Sequence, residues 1–239
     1  MRCGLLGEKL GHSYSPALHA LFGDYDYELF EVSPDRLGDF LRVRDFQGLN
    51  VTIPYKTTML AICDDLTETA ATIGSVNTVL KQLDGSLLGD NTDAAGFEGM
   101  VWKSRIRILG RKCLVLGSGG ASLSAQYVLR KLGAGEVVVI SRTGENNYDN
   151  LDRHQDAAVI VNATPVGMYP NTAASPVDLR QFPHCEGVLD LIYNPARTAL
   201  LQQAETLGIP HLGGLYMLAE QARCAAQLFT GEVIPAIRT

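Results

Sequence analysis

The sequence predicts an α/β protein with parallel strands and helices between them. Three observations carry this expectation. Short apolar runs alternate with longer amphipathic stretches along the chain, a βαβα rhythm that places helices on the faces of parallel sheets. A strand at 113–116 runs into a glycine-rich loop that opens a helix, and a β-branched strand follows at 137–140, the pattern of a doubly wound dinucleotide-binding sheet. Hydrophobic residues make up 46% of the 239 positions and charged residues only 19%, enough apolar material for a folded core and too little charge for a disordered chain. The length accommodates one large domain or two small ones.

From the start of the chain, 3–6 reads as a strand and 15–22 as a helix with Pro16 at its first position. Residues 27–32 form a strand, and Pro34 opens a helix over 34–43. A strand at 49–53 leads into a helix at 54–62, again opened by proline, and 66–73 reads as a further helix. The runs 77–81 and 87–89 flank Asp84-Gly85, a strong hairpin signal. A helix over 92–103 enters the second half, and the break between halves falls near 89–110. There the strand 113–116 is followed by a helix at 121–132, closed by Gly133, and by strands at 137–140, 158–161 and 188–191. A helix at 197–207 stops at Gly208, and a long final helix spans 215–229.

Composition narrows the function classes. Twenty basic against 26 acidic residues give a net charge of −6, which speaks against a nucleic-acid partner but leaves room for a locally positive cleft and a small anionic substrate. Five cysteines, at 3, 63, 113, 185 and 224, are odd in number and form no Cys-x-x-Cys pair, so free thiols in a reducing cytoplasm are expected. No signal-peptide pattern opens the chain, and no apolar run approaches the roughly 18 residues of a membrane span. His12, His19, His154, His184 and His211 show no ligand spacing and read as structural or solvated, with no metal expected.

The chemistry-bearing segments sit at element ends. In Gly117-Ser118-Gly119-Gly120-Ala121, the first glycine permits a tight turn and the second lets a phosphate approach the backbone. Ala121 lets helix and strand pack closely, and the helix start offers N–H groups to a pyrophosphate. The tip of the next strand reads Ser141-Arg142-Thr143, with no acid to hold a ribose 2′-hydroxyl. Arg142 suits a 2′-phosphate, so NADP is favoured over NAD, the alternative being an ordinary surface arginine. Ser13 and Ser15 share a face before a helix and could bind a carboxylate, or Ser15 could simply cap that helix. Lys56 is expected in a first helical turn, where the dipole opposes its charge and favours loss of its proton; a solvated lysine is the plain alternative. Asp93 is also expected in a first turn, where it is favourable for the helix alone, or else as the partner of Lys56 in a proton-transfer couple.

Taken in order, these segments resemble the shikimate dehydrogenase family. The likeness runs through GHSYSP at 11–16, NVTIPYK at 50–56, GSVNT at 74–78, GDNTD at 89–93, GSGGA at 117–121, NATPVGM at 162–168, DLIYNP at 190–195 and GLYMLAEQ at 214–221. The resemblance implies an N-terminal α/β substrate domain over 1–95, a Rossmann domain over 96–214, an active site in the groove between them, and a last helix, 215–239, returning to the first domain. It implies Lys56 and Asp93 as catalytic residues and Ser13, Ser15, Thr52, Asn77, Tyr193 and Gln221 as substrate-binding ones. The cofactor side would comprise residues 117–121, Ser141, Arg142, Thr143, Thr164, Gly214 and Met217. The reaction implied is the reversible NADP(H)-linked reduction of 3-dehydroshikimate to shikimate by a monomer or homodimer, with NAD(H) a possible substitute.

The chain departs from the family pattern beside Arg142. Ser141 stands where NADP-using members carry Asn, and Glu145, Asn146 and Asn147 occupy the positions of a second cation. The helix after the second Rossmann strand is therefore expected to be missing or reduced. Competing readings are a quinate or aminoshikimate dehydrogenase using NAD and, from another class, a non-catalytic ligand sensor that kept the pocket.

Overall fold

The computed structural model describes residues 1–11 and 13–237. His12 and the last two residues of the 215–239 segment lie outside the described residues. The chain divides into two compact units, one of Met1–Ala95 with the chain from Ala219 on, the other of Gly96–Leu218.

The first unit is built on β1 (Arg2–Gly7), α1 (Ser15–His19), β2 (Asp26–Glu31), α2 (Leu37–Val43), β3 (Gly48–Val51), β4 (Asp65–Leu66), α3 (Glu68–Ile73), β5 (Thr78–Lys81) and β6 (Leu87–Asp90). Its sheet has the order β2-β1-β3-β5-β6-β4. The β1–β2, β1–β3 and β4–β6 pairs are parallel, but β3–β5 and β5–β6 are antiparallel, which corrects the expectation of parallel sheets throughout. The hairpin expected around Asp84-Gly85 accounts for the β5–β6 pair: Gly85 adopts φ +87 in its turn, and two strands joined by a few residues can only run antiparallel. Leu6, Phe46, Leu49, Met59 and Leu87 fill the core on one part of the sheet. Cys3, Ala225 and Phe229 form a smaller cluster with Tyr25 and Tyr27.

Several helices are shorter than the sequence suggested. The helix at 15–22 stops at His19, and that at 34–43 begins with a 3-10 turn over Pro34–Arg36. The helix expected at 54–62 does not form; turns lead to a 3-10 turn at Thr58–Ala61. The Lys56 carbonyl accepts the Val76 N–H at 2.8 Å, so an α-helical bond at that position is replaced by a long-range one. Helix α3 starts one residue after Thr67, whose hydroxyl accepts the Ala70 N–H at 3.2 Å, and ends at Gly74 with φ +72.

Helix α4 (Thr92–Ser104) enters the second unit, which continues with β7 (Lys112–Leu116), α5 (Gly120–Lys131), β8 (Glu136–Ile140), β9 (Val159–Asn162), β10 (Gly187–Asp190), α6 (Ala199–Thr206), β11 (His211–Gly213) and α7 (Leu215–Thr230). The strand β11 was not apparent in the sequence. The sheet order is β11-β10-β9-β7-β8, all pairs parallel. The central strands β9 and β10 are buried at every residue, which is why they read as unbroken apolar runs. Helix α5 packs on β7 and β8, and α6 on β10 and β11. From β7 the chain goes first to β8 on one side and then to β9 on the other, so a topological switch point lies between the carboxyl ends of β7 and β9.

Candidate active site

In the first unit the structure brings Lys56 and Asp93 together. Lys56 Nζ lies 2.5 Å from Asp93 Oδ2, with the two side chains only 16% and 9% exposed. Asp93 sits in the first turn of α4, as expected, and the Asn91 side-chain oxygen just before it accepts the Ala94 N–H at 3.2 Å. Lys56 lies in a turn and not in the first turn of a helix, which corrects the expected helix-dipole setting; the Asp93 carboxylate lies beside it instead. A lysine amine and a carboxylate in a shielded place form a couple that can hold or pass a proton.

Asn77 follows the buried run Ser75 and Val76 and is itself 2% exposed. Its Oδ1 accepts the Thr92 N–H at 2.7 Å and lies 3.0 Å from the Thr78 hydroxyl and 3.2 Å from that of Thr92. Thr78 in turn accepts from Asn50 Nδ2 at 3.3 Å, and Asn50 Oδ1 accepts the Tyr27 hydroxyl at 2.8 Å. With its oxygen saturated, Asn77 can offer a ligand only N–H donors. Asn50, Thr78, Thr92 and Tyr27 were missed in the sequence reading; the signal was the adjacent polar pairs Asn77-Thr78 and Asn91-Thr92 at element ends.

Ser13 and Ser15 lie side by side, with hydroxyls 3.2 Å apart and the Ser15 N–H donating to Ser13 Oγ. Ser15 is not the helix cap: it is the first helical residue, and Tyr14 precedes it without a side-chain cap. Thr52 is half-buried just past β3, and its N–H donates to the Leu6 carbonyl at 2.9 Å. Gln221 lies buried on the part of α7 that belongs to the first unit.

In the second unit the dinucleotide loop sits at the switch point. Gly117 has φ +101, and a Cβ there would lie 3.0 Å from the Ala163 carbonyl oxygen and from Thr164 Cγ2, so only glycine fits. A Cβ on Gly119 would meet nothing within 4 Å, so the crest of the loop faces open space. Gly119, the N-cap of α5, has no side chain to cap the first turn, whose N–H groups can face an anion. Ser118 is exposed, and Gly120 and Ala121 begin α5. This cradle fits a pyrophosphate. Arg142 and Thr143 are exposed at the end of β8, with Ser141 half-buried.

No helix forms between 141 and 150. An asparagine-rich turn replaces it: Asn147 Nδ2 donates to the Gly144 carbonyl at 3.2 Å and Asn150 Nδ2 to that of Glu145 at 2.8 Å. Tyr193 follows β10 and is half-buried. Gly214 is buried where a Cβ would come within 2.1 Å of the Leu191 carbonyl oxygen, and Met217 is buried on the first turn of α7. Among the described residues no cluster of three or more metal-ligating side chains occurs, and no helix is long and apolar enough to cross a membrane.

Residues 5–79 match the family model described as the shikimate dehydrogenase substrate binding domain. The shikimate dehydrogenase (NADP(+)) of Methanopyrus kandleri is 36% identical over 97% of this chain and 91% of its own. The crystal structure of shikimate dehydrogenase 1 from Peptoclostridium difficile superposes with a TM-score of 0.90 at 34% identity, covering 98% of this chain and 93% of that one. Shikimate 5-dehydrogenase from Thermus thermophilus, solved with NADP(H) and shikimate, gives a TM-score of 0.89 at 36% identity, covering 99% and 95%. With relatives of this identity matched over nearly their whole length, the chain belongs to the shikimate dehydrogenase family.

Proposed function

We propose that this protein is an NADP-dependent shikimate dehydrogenase that interconverts 3-dehydroshikimate and shikimate. The observation that carries the chemistry is the shielded Lys56–Asp93 couple at 2.5 Å. Oxidation of a ring alcohol requires one group to take the hydroxyl proton while the carbon gives up hydride, and NADP, when bound, supplies the hydride acceptor. Lys56 Nζ takes the proton, and the Asp93 carboxylate beside it stabilises the ammonium that results. In reduction Lys56 returns the proton to the alkoxide.

The remaining residues bind and orient. Ser13 and Ser15 supply paired hydroxyls for the ring carboxylate. Thr52, Asn77, Tyr193 and Gln221 hold the ring oxygens, Asn77 strictly as a donor. Directed hydrogen bonds of this kind discriminate between polyhydroxylated acids better than apolar fit does. Residues 117–121 cradle the pyrophosphate, Ser141, Arg142 and Thr143 meet the 2′-phosphate, and Thr164, Gly214 and Met217 line the rest of the dinucleotide. Residues 1–95 thus act as the substrate domain and 96–214 as the cofactor domain. All five thiols are free, which fits a reducing compartment such as the cytoplasm.

The test is consumption of NADPH with 3-dehydroshikimate, with the product identified by mass and chromatography. Shikimate as sole product supports the reading; preferential turnover of dehydroquinate would reassign the substrate, and ligand binding without turnover would favour a sensor.

A further inference from the structure

We propose that Asp190 is a positioning residue for the cofactor loop: through Asn162 it holds the turn at Thr164 against Gly117. The inference rests on the reading of Gly117 and Thr164 as cofactor-side residues. Asp190 is the last residue of β10 and is wholly buried. Its Oδ1 accepts from Asn162 Nδ2 at 3.0 Å and from the Ile192 N–H at 3.1 Å; its Oδ2 accepts the Thr198 hydroxyl at 2.6 Å. No cation is among these partners. Burial pushes the Asp190 carboxyl up to about 6, against the pull of its three donors. A carboxylate so placed is costly to the fold, and its retention calls for a use of its acceptor-only character.

Asn162 provides that use. It ends β9, in register with Asp190 on one side and with Leu116, the last residue of β7, on the other. The two N–H groups of the Asn162 amide face two acceptors, Asp190 Oδ1 at 3.0 Å and the Val166 carbonyl at 3.3 Å, of which the buried carboxylate is the nearer, and Oδ1 then faces the other way. There Oδ1 accepts the Thr164 N–H at 3.0 Å and the Thr164 hydroxyl at 2.7 Å. A flipped amide would set NH2 against those two donors and oxygen against the carboxylate. The turn so fixed is the one that a Cβ on Gly117 would strike, at Ala163 and Thr164. The chain Asp190–Asn162–Thr164–Gly117 crosses the carboxyl ends of β10, β9 and β7 at the switch point. The Thr198 arm is separate: its hydroxyl also accepts the Leu201 N–H at 3.3 Å and caps α6.

The experiment measures the NADP dissociation constant by calorimetry and KM for shikimate in wild type, D190A, D190N and N162A, with thermal unfolding alongside. D190A should weaken NADP about tenfold, the loss expected when a buried donor is left without its acceptor, while KM for shikimate stays within about twofold. D190N keeps an acceptor at Oδ1 and should restore NADP affinity to within about threefold of wild type. N162A reads the same link if D190A fails to fold, and should weaken NADP by a similar factor. A merely structural role would lower the unfolding temperature of each variant and leave NADP affinity unchanged in the folded protein; that result, in D190A or N162A, overturns the proposal. A wild type that binds NADP but does not turn over would refute the enzymatic reading while the affinity comparison still decides this one. A wild type that does not bind NADP overturns both.

Discussion

Replacing Lys56 by alanine separates two effects that the structure predicts together. The Lys56–Asp93 pair is largely withdrawn from water, with 16% and 9% of the side chains exposed. Removing the cation leaves the Asp93 carboxylate uncompensated, which should cost about 2–4 kcal/mol of stability, somewhat below the roughly 3–5 kcal/mol of a fully buried pair because the site is partly exposed. Turnover should fall by about 10²–10⁴, the usual loss of a general acid–base, while KM for shikimate moves by less than about threefold. The double variant K56A/D93N distinguishes the causes. It removes the stranded charge and should recover most of the lost stability in urea unfolding, yet turnover should stay low. Turnover in folded K56A within about tenfold of wild type, or turnover that recovers with stability in the double variant, would refute the assignment.

Other expectations are as direct. R142A should raise KM for NADP about tenfold and KM for NAD less than about twofold in initial-rate assays, since Arg142 is the cation at the tip of β8; equal effects would remove it from the 2′-phosphate. G117A places a Cβ 3.0 Å from the Ala163 oxygen at φ +101, and calorimetry should find NADP binding weakened by more than about tenfold. T78V deletes one donor to Asn77 Oδ1 and the acceptor of Asn50; KM for shikimate should rise about three- to tenfold, with T78S restoring it. His19 is buried against Tyr27, and burial holds its imidazole down to about 4. Between pH 6.5 and 4 the unfolded chain therefore binds a proton that the folded one does not, so about 3 kcal/mol of stability is lost on acidification through that window. H19F should flatten the dependence of unfolding free energy on pH there; an unchanged slope would contradict the buried neutral state.

The second unit was the more legible half in sequence. Its inner strands β7, β9 and β10 are buried on both faces, and such strands announce themselves as apolar runs, whereas the more exposed edge strand β11 did not. The loop at 117–121 was legible for the same local reason, since glycine at φ +101 is a backbone requirement that sequence displays. The first unit was less so. The β5–β6 hairpin was announced by Asp84-Gly85, but the antiparallel pairing of β3 with β5 and the lost helix at 54–62, where the Val76 N–H reaches the Lys56 carbonyl, depend on contacts that no local pattern encodes. The candidate site followed the same division. Lys56 and Asp93 stood out by residue type and segment and Asn77 through the family resemblance, whereas Asn50 and Asp190 act through buried hydrogen bonds between residues far apart in sequence, which no local pattern displays.

The most direct test of the central claim is absorbance at the reduced-nicotinamide band, with purified protein, shikimate, and NADP or NAD in parallel. The account predicts a signal that grows with NADP, depends on shikimate, is much slower with NAD, and is lost in K56A. No growth with either dinucleotide, from a folded protein that binds shikimate, would contradict it.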